Sequence, residues 1–245
     1  MELYEVMRTT PATRAFRETP VPDGVLYRML DHARFAPSGG NRQGWRVVVV
    51  KDPALRRRIR DLSQLGWREY MAHASQGLVP FAPREHGRWP GPPAGAGEEG
   101  LDAVDASGPA VDLERARETP APNSFVDHLD VAPVLLLLCG ELGVLACVDN
   151  GLDRQSIVGG ASIYPFGHNL LLAARNEGLG GVMTSVLVRQ EPAVRELIGL
   201  PDGYALAALI ALGYPQREIT KLSRRPVEEF TMVDRFGGPA FTVGS

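Results

Sequence analysis

The sequence predicts a layered α+β domain built around a mixed β-sheet, and three observations predict it. Short apolar runs at 46–50, 134–139, 182–188 and 205–212 have strand chemistry, and helical patterns lie between them in irregular order. The stretch joining the runs at 134–139 and 182–188 is also long enough for a crossover between parallel strands. With 245 residues, 44% hydrophobic and 22% charged, the chain can bury one sizeable core, so a single domain over 1–245 is the simplest organisation.

Residues 2–8 read as a short helix, after which Thr9-Thr10-Pro11 turns the chain toward Arg14-Ala15-Phe16. Pro20-Val21-Pro22-Asp23 introduces an amphipathic helix, in which Val25, Leu26, Met29, Leu30 and Ala33 recur every three to four positions until Pro37 ends it. Arg46 to Val50 is a buried strand by its β-branched run, and Pro53 opens a helix with Leu55, Ile59 and Leu62 on one stripe.

Between 76 and 122, prolines alternate with glycines and charges, a composition that supplies little core. This segment reads either as a flap over a substrate, to which Phe81 and Trp89 would contribute aromatic surface, or as a plain surface insertion. Val134 to Cys139 is a central strand, and Ser156 to Glu177 reads as one long apolar helix that Pro165 breaks or kinks in its first half. Gly178 caps it, Val182 to Val188 forms the next strand, Glu191 to Ile198 a short helix and Ala205 to Leu212 the last strand, before a tail that starts at Pro215. No internal repeat is visible.

A formal net charge of -3 and a pI near 6.0, with both signs interspersed, leave no electrostatic footprint for nucleic acid. The run Arg56-Arg57-Arg58 is expected on a solvated helix face. Cys139 and Cys147 belong to no metal or redox spacing, which points to a reduced, cytoplasmic protein. The acidic N-terminus carries no signal-peptide pattern, and no run approaches the roughly 20 apolar residues of a membrane span. His32, His73, His86, His128 and His168 form no ligand set, and His168 is expected in the core or in an interface. There is no G-x-S-x-G elbow or Walker loop, and Asp127-His128-Leu129-Asp130 reads as a polar approach to the strand after it.

The most informative stretch is Ala36-Pro37-Ser38-Gly39-Gly40-Asn41-Arg42-Gln43-Gly44-Trp45. It combines a helix stop, a Gly-rich turn with exposed amides and two carboxamide side chains two positions apart, which suits a planar, hydrogen-bonding heterocycle. It resembles the flavin-binding loop of the nitroreductase family, with Gly44 standing where family members usually carry Pro and Trp45 where the pattern expects it.

Under that resemblance the cofactor is FMN. Its phosphate dianion needs cationic donors and its ring needs hydrogen-bond donors, while the cofactor itself carries the redox chemistry, so no catalytic side chain is required. The resemblance implies cofactor contacts from Pro37, Ser38, Gly39, Gly40, Asn41 and Gln43 of this loop, and from Arg8, Thr9, Thr10 and Arg14 of the N-terminal segment. It further implies backbone contacts from Met183, Thr184 and Ser185 after the Gly178-Leu179-Gly180 turn. From the basic tail come Lys221 and Arg224, with Arg225 as a competitor to Arg224.

The family resemblance, covering about residues 3 to 230, also implies a nitroreductase-like fold in an intertwined homodimer with FMN at the subunit interface. The helix at 156–177 would then be a dimer helix, and Ser38 to Asn41 would reach the flavin bound mainly by the other subunit. The implied activity is ping-pong hydride transfer from NAD(P)H through flavin N5 to a nitroaromatic, a quinone or a related small acceptor. Dehydrogenation, reductive dehalogenation, flavin cleavage, and flavin or deazaflavin binding without turnover stay open as alternatives.

Overall fold

Two leucine-rich strands, hydrogen-bonded antiparallel and covered on both faces, form the middle of the structure. The computed structural model describes residues 1–82, 111–218 and 221–243. In chain order the helices are α1 (Leu3–Arg8), α2 (Asp23–Ala33), α3 (Pro53–Ala74), α4 (Leu113–Glu118), α5 (Ser124–Asp127), α6 (Tyr164–Asn176) and α7 (Glu191–Ile198). The strands are β1 (Trp45–Val49), β2 (Val134–Glu141), β3 (Gly180–Thr184) and β4 (Tyr204–Gly213). They form one sheet in the order β1-β2-β4-β3, in which each neighbouring pair is antiparallel.

The layered α+β expectation therefore holds, with a sheet that differs in detail. β2 and β3 do run the same way, as their crossover suggested, but β4 lies between them. The only parallel pairing among the described residues is an isolated bridge from Ala12 to Gly181 at the β3 edge. A continuous apolar run signals burial on both faces, which is commonest in parallel sheets; here an antiparallel pair has the same environment.

Side-chain alternation builds the two layers. Val134, Leu136, Leu138, Ile210 and Leu212 face α2 and α6, against Met29, Phe166 and Leu170. Leu135, Leu137, Leu209 and Ala211 face α3, α7 and the turn that precedes α7, against Ile59, Val194 and Leu187. Each large side chain buried this way contributes about 1.5–3 kcal/mol of transfer free energy, so the central pair dominates the core. The β2–β4 register slips between Leu138 and Cys139, where Leu138 pairs Ala208 and Cys139 pairs Leu206. The extra residue, Ala207, sends Leu206 to the α3/α7 layer although Ala208, two positions on, faces α2 and α6.

Local chemistry sets the helix boundaries. The Asp52 carboxylate accepts from Leu55 N at 2.7 Å and Pro53 takes the first position of α3, as its pattern predicts. Pro165 likewise starts α6, so the apolar pattern from 156 to 177 is not one kinked helix: Val158–Ser162 is a 3₁₀ turn and α6 begins at Tyr164. Within this chain His168 is exposed rather than in the core. The strand expected at 182–188 is Gly180–Thr184, and Val186–Gln190 is a second 3₁₀ turn. That turn lies so close to α3 that a Cβ on Gly66 would come within 2.2 Å of Val186 O.

Arg56 leaves the solvated face expected for its run. Its guanidinium donates to Val50 O at 2.9 Å, to Asp130 O at 2.8 Å and to Ala132 O, joining α3 to both ends of the β1–β2 connection. Asp127 accepts from Gln64 and Asn123 N, and Asp130 from Arg60, so the 127–130 stretch is the polar approach its sequence suggests.

The Pro-rich segment is ordered at both described ends. Asp112 caps α4, whose Ala116 is buried. Glu69 of α3, fully buried, accepts from Arg117 of α4 at 2.6 Å, Arg189 at 3.0 Å and Gln190 at 3.2 Å. Phe81 lies 4.4 Å from the Arg189 guanidinium, so the chain before and after the segment meets at one carboxylate. Burial pushes the Glu69 pKa up, but the bonds and charges of Arg189 and Arg117 outweigh it and hold the carboxyl below its usual range. The flap reading for 83–110, Trp89 included, lies outside the described residues.

Because three donors converge on Glu69, E69A is expected to lower the unfolding free energy by about 2–3 kcal/mol in urea titrations. R117A, whose side chain is 44% exposed, should cost under about 1 kcal/mol.

Candidate functional site

The loop after α2 is held by its own side chains. Ser38 Oγ accepts from Gln43 N at 3.0 Å, Ser38 O from Asn41 N at 2.9 Å, and Asn41 Oδ1 from Gln43 Nε2 at 3.1 Å. Gly40, Asn41 and Gln43 stand at φ of 61°, 52° and 50°. Glycine tolerates that left-handed region and asparagine is common there, but Gln43 is strained, a condition that persists only where the surroundings enforce it.

Several neighbours do enforce it. Gly39 N donates to Ser162 Oγ at 3.1 Å, and Arg46 Nη1 donates to Gln43 O at 3.1 Å while its Nη2 pairs with Glu141. Trp45 stacks on Phe166 beneath the loop, with ring centroids 5.2 Å apart. Gly44 is buried, and a Cβ there would come within 2.7 Å of Val144 Cγ2. The departure from Pro thus matches a closely packed Val144. Pro37 and Gly39 to Gln43 remain exposed, so a rigid turn with unused amide and carboxamide groups faces outward.

Ser162 owes its place to a carboxylate that sequence reasoning missed. Asp149, 3% exposed, accepts from Arg154 Nη1 at 2.9 Å, Ser156 Oγ at 2.8 Å, Ile157 N at 2.8 Å and Val158 N at 3.3 Å. The Ile157 amide leads these bonds, which overcome burial and hold the Asp149 carboxyl far below the usual carboxylate range. Asp149 thereby folds 149–158 into a knot that delivers the Val158–Ser162 turn to the loop. Its only signal in the sequence was Asp149-Asn150-Gly151, a turn signature.

The second and third predicted groups meet at the opposite end of the sheet. Thr13 N donates to Gly181 O at 2.9 Å, and a Cβ on Gly180 would come within 2.4 Å of Thr13 Oγ1. The glycines of the 178–181 turn therefore admit the N-terminal segment as well as capping α6. Phe16 then bridges Pro215, Arg17 Nε donates to Pro215 O at 3.0 Å, and Gln216 N donates to Ala15 O at 3.1 Å. These bonds fix Arg14 beside the exit of β4, from which the chain continues to Lys221 and Arg224. Arg8, Arg14, Lys221, Arg224 and Arg225 are exposed, and none has a carboxylate within 4.0 Å among the described residues.

The hydroxyls of Thr9 and Thr10, two of the residues from which cofactor contacts are expected, bond within their own segment. Thr9 Oγ1 donates to Glu5 O at 2.7 Å and Thr10 Oγ1 to Val6 O at 2.6 Å, so both hydroxyl protons close the end of α1. Thr9 is buried and also accepts from Arg175 Nε at 3.1 Å. The sequence had flagged the polar pair but not that a helix end would consume it.

Strand registers give the spacing. Trp45, at the mouth of the loop, pairs Gly140 and through it Ala205, whereas Gly180 pairs Gly213 at the other end of β4. With Ala207 the extra residue of the bulge, seven strand steps separate these levels, roughly 23 Å. Thr184 lies level with Val48, through Leu209 and Leu137, and three strand spacings away, about 14 Å. Met183 and Thr184 thus lie on the edge strand away from the loop, with Ser185 just after it, and Met183 packs into the α2/α6 layer. One chain brings Arg14 together with the tail but keeps both apart from residues 37–43.

An amide-bearing turn toward one end of an antiparallel sheet and the exposed Arg14 toward the other mark an α+β fold in which one chain holds the predicted site residues in separate groups. The chain belongs to the nitroreductase family, whose family model matches residues 7–214. It is similar to an NADH dehydrogenase of Thermus thermophilus, with 31% identity over 219 residues covering 89% of each chain. It is also similar to iodotyrosine deiodinase 1 of Rattus norvegicus, with 27% identity over 230 residues covering 93% of this chain and 68% of that one. The fold matches that of oxidized iodotyrosine deiodinase bound to FMN and 3-iodo-L-tyrosine, with a TM-score of 0.61 at 22% identity over 96% of this chain and 100% of that one.

The Asp149 knot gives a pH dependence of known sign. A carboxyl held below its unfolded pKa of about 3.9 contributes stability that is complete above that value and is lost as pH falls through its lower folded value. D149N should therefore be less stable than the parent at pH 7, with a shallower decline between about pH 5 and pH 2 in acid titrations followed by tryptophan fluorescence. An unchanged acid limb would remove Asp149 from this role.

Proposed function

We propose that this protein is an FMN-dependent oxidoreductase acting as a homodimer, with each flavin held between the cationic end of one chain and the 37–43 loop of a second copy. The observation that carries this reading is the separation of the two half-sites along β4 within one chain. A two-fold arrangement that sets the loop of one copy against the cations of the other completes two sites at once.

The donor chemistry fits FMN. Arg8, Arg14, Lys221 and Arg224 supply exposed cations for a phosphate, with Arg225 in reserve, and the backbone near Met183, Thr184 and Ser185 borders the ring. The loop of the second copy supplies the exposed Asn41 and Gln43 carboxamides and the exposed backbone of Gly40. Exposed Leu3, Tyr4 and Met7 on α1, with Phe230, Met232, Phe236 and Phe241 on the tail, provide apolar surface for a second copy to cover. The Trp45–Phe166 stack keeps water from beneath the loop.

Held by these residues, FMN would supply hydride chemistry between NAD(P)H and a nitroaromatic, a quinone or a related small acceptor. No side chain need take or give a proton for that exchange, so the chain's work is to hold, orient and shield. Similarity to a Thermus thermophilus NADH dehydrogenase supports the nicotinamide donor. Similarity to iodotyrosine deiodinase 1 supports reductive dehalogenation of an aromatic as a second reading. Two cysteines, one of them buried with its thiol pushed up to about 11 by burial, suit a reducing cytoplasm.

Purified protein should bind FMN stoichiometrically and bleach its absorbance when NADH or NADPH is added anaerobically. Binding without bleaching by either donor would remove the nicotinamide reading, and release of iodide from 3-iodotyrosine under dithionite would then select dehalogenation. R14A combined with R224A should weaken FMN at least about tenfold while changing riboflavin, which lacks the phosphate, by less than about twofold.

A further inference from the structure

Arg42 is the one residue of the Asn41-Arg42-Gln43 stretch for which the proposed flavin contacts leave no role. Its guanidinium folds back over the turn, with Nη1 donating to Gly39 O at 3.1 Å. A Cβ placed on Gly40 would lie 3.1 to 3.4 Å from the guanidinium carbon and nitrogens, so the group rests against the bare face of Gly40. The backbone beneath it is held in the left-handed region at three positions and fastened from outside by Ser162 and Arg46. The cation is thus presented from a fixed platform rather than from a free chain.

Its charge is uncompensated among the described residues. Glu141 is the acidic side chain joined to this part of the sheet, and it pairs with Arg46 at 2.8 Å. No described carboxylate comes within 4.0 Å of Arg42. With Nη1 committed to Gly39 O, the Nε and Nη2 edge is the part of the fork that remains, and that edge matches a carboxylate with two parallel hydrogen bonds.

We propose that Arg42 is a specificity residue that binds the carboxylate of an aromatic acid in the substrate space over the flavin. The inference rests on the flavin reading above, in which this loop faces the ring. It names a substrate class, carboxylate-bearing aromatics, over neutral aromatics of the same shape. A lysine at this position would keep the charge and lose the two-bond geometry.

The test uses full-length protein loaded with FMN and needs no turnover. Benzoate and benzyl alcohol are titrated separately while the visible flavin spectrum is followed, in the parent, R42Q and R42K. The parent should bind benzoate at least about tenfold more tightly than benzyl alcohol. R42Q should lose about tenfold for benzoate and less than twofold for benzyl alcohol, with R42K between the two for benzoate. A loss shared equally by both ligands, or no loss, overturns the inference alone. Failure of the parent to take up FMN overturns the flavin reading and this inference with it, and the uptake measurement made first separates the two cases.

Discussion

The rest of the molecule depends on burying the β2–β4 pair on both faces. Ten side chains of Val134 to Cys139 and Leu209 to Leu212 are withdrawn from water. A sheet so covered needs a helix layer on each side, which α2 with α6 and α3 with α7 provide. Once both faces are filled, only the ends and edges of the sheet are left for binding. The amide-bearing loop lies toward one end and the N-terminal segment with the start of the tail toward the other, so the separation of these two groups follows from how the core is closed.

The helical boundaries were legible where a single residue has a single physical role. Pro53, Pro37 and Gly178 act through a missing N–H, a restricted preceding residue and a tolerated positive φ, and each stands where its chemistry placed it. The strand neighbours were less legible. An apolar run reports that a strand is covered but not by which partner, and the position of β4 between β2 and β3 is a long-range fact. Pro165 shows the same limit at shorter range: a proline within an apolar pattern can kink a helix or begin one, and the choice depends on how Val158–Ser162 is held by its neighbours.

The candidate site was legible as a motif and illegible as a network. The Pro37 to Gln43 pattern marked a stiff, outward-facing turn, but what stiffens it comes from Ser162, Arg46 and Asp149, which lie elsewhere in the chain. Asp149 and Glu69 could not be recognised as buried from sequence, because the donors that make a buried carboxylate tolerable come from separate segments. Thr9 and Thr10 stood in a flagged motif, yet their hydroxyls serve the end of α1, as threonine readily does beside a carbonyl one turn back.

Ala207 occupies the register slip in β4, and it acts as a parity switch for the chain on either side of it. Removal of that one residue would regularise the ladder and leave Tyr204, Ala205 and Leu206 on the faces they now hold, because neighbouring residues of a regular strand point to opposite faces. A one-residue deletion at 207 therefore keeps both core faces in place, whereas one within the regular ladder from Leu209 to Leu212 would turn the chain beyond it over. Alignments that place a gap there join two faces that a regular strand satisfies without the bulge.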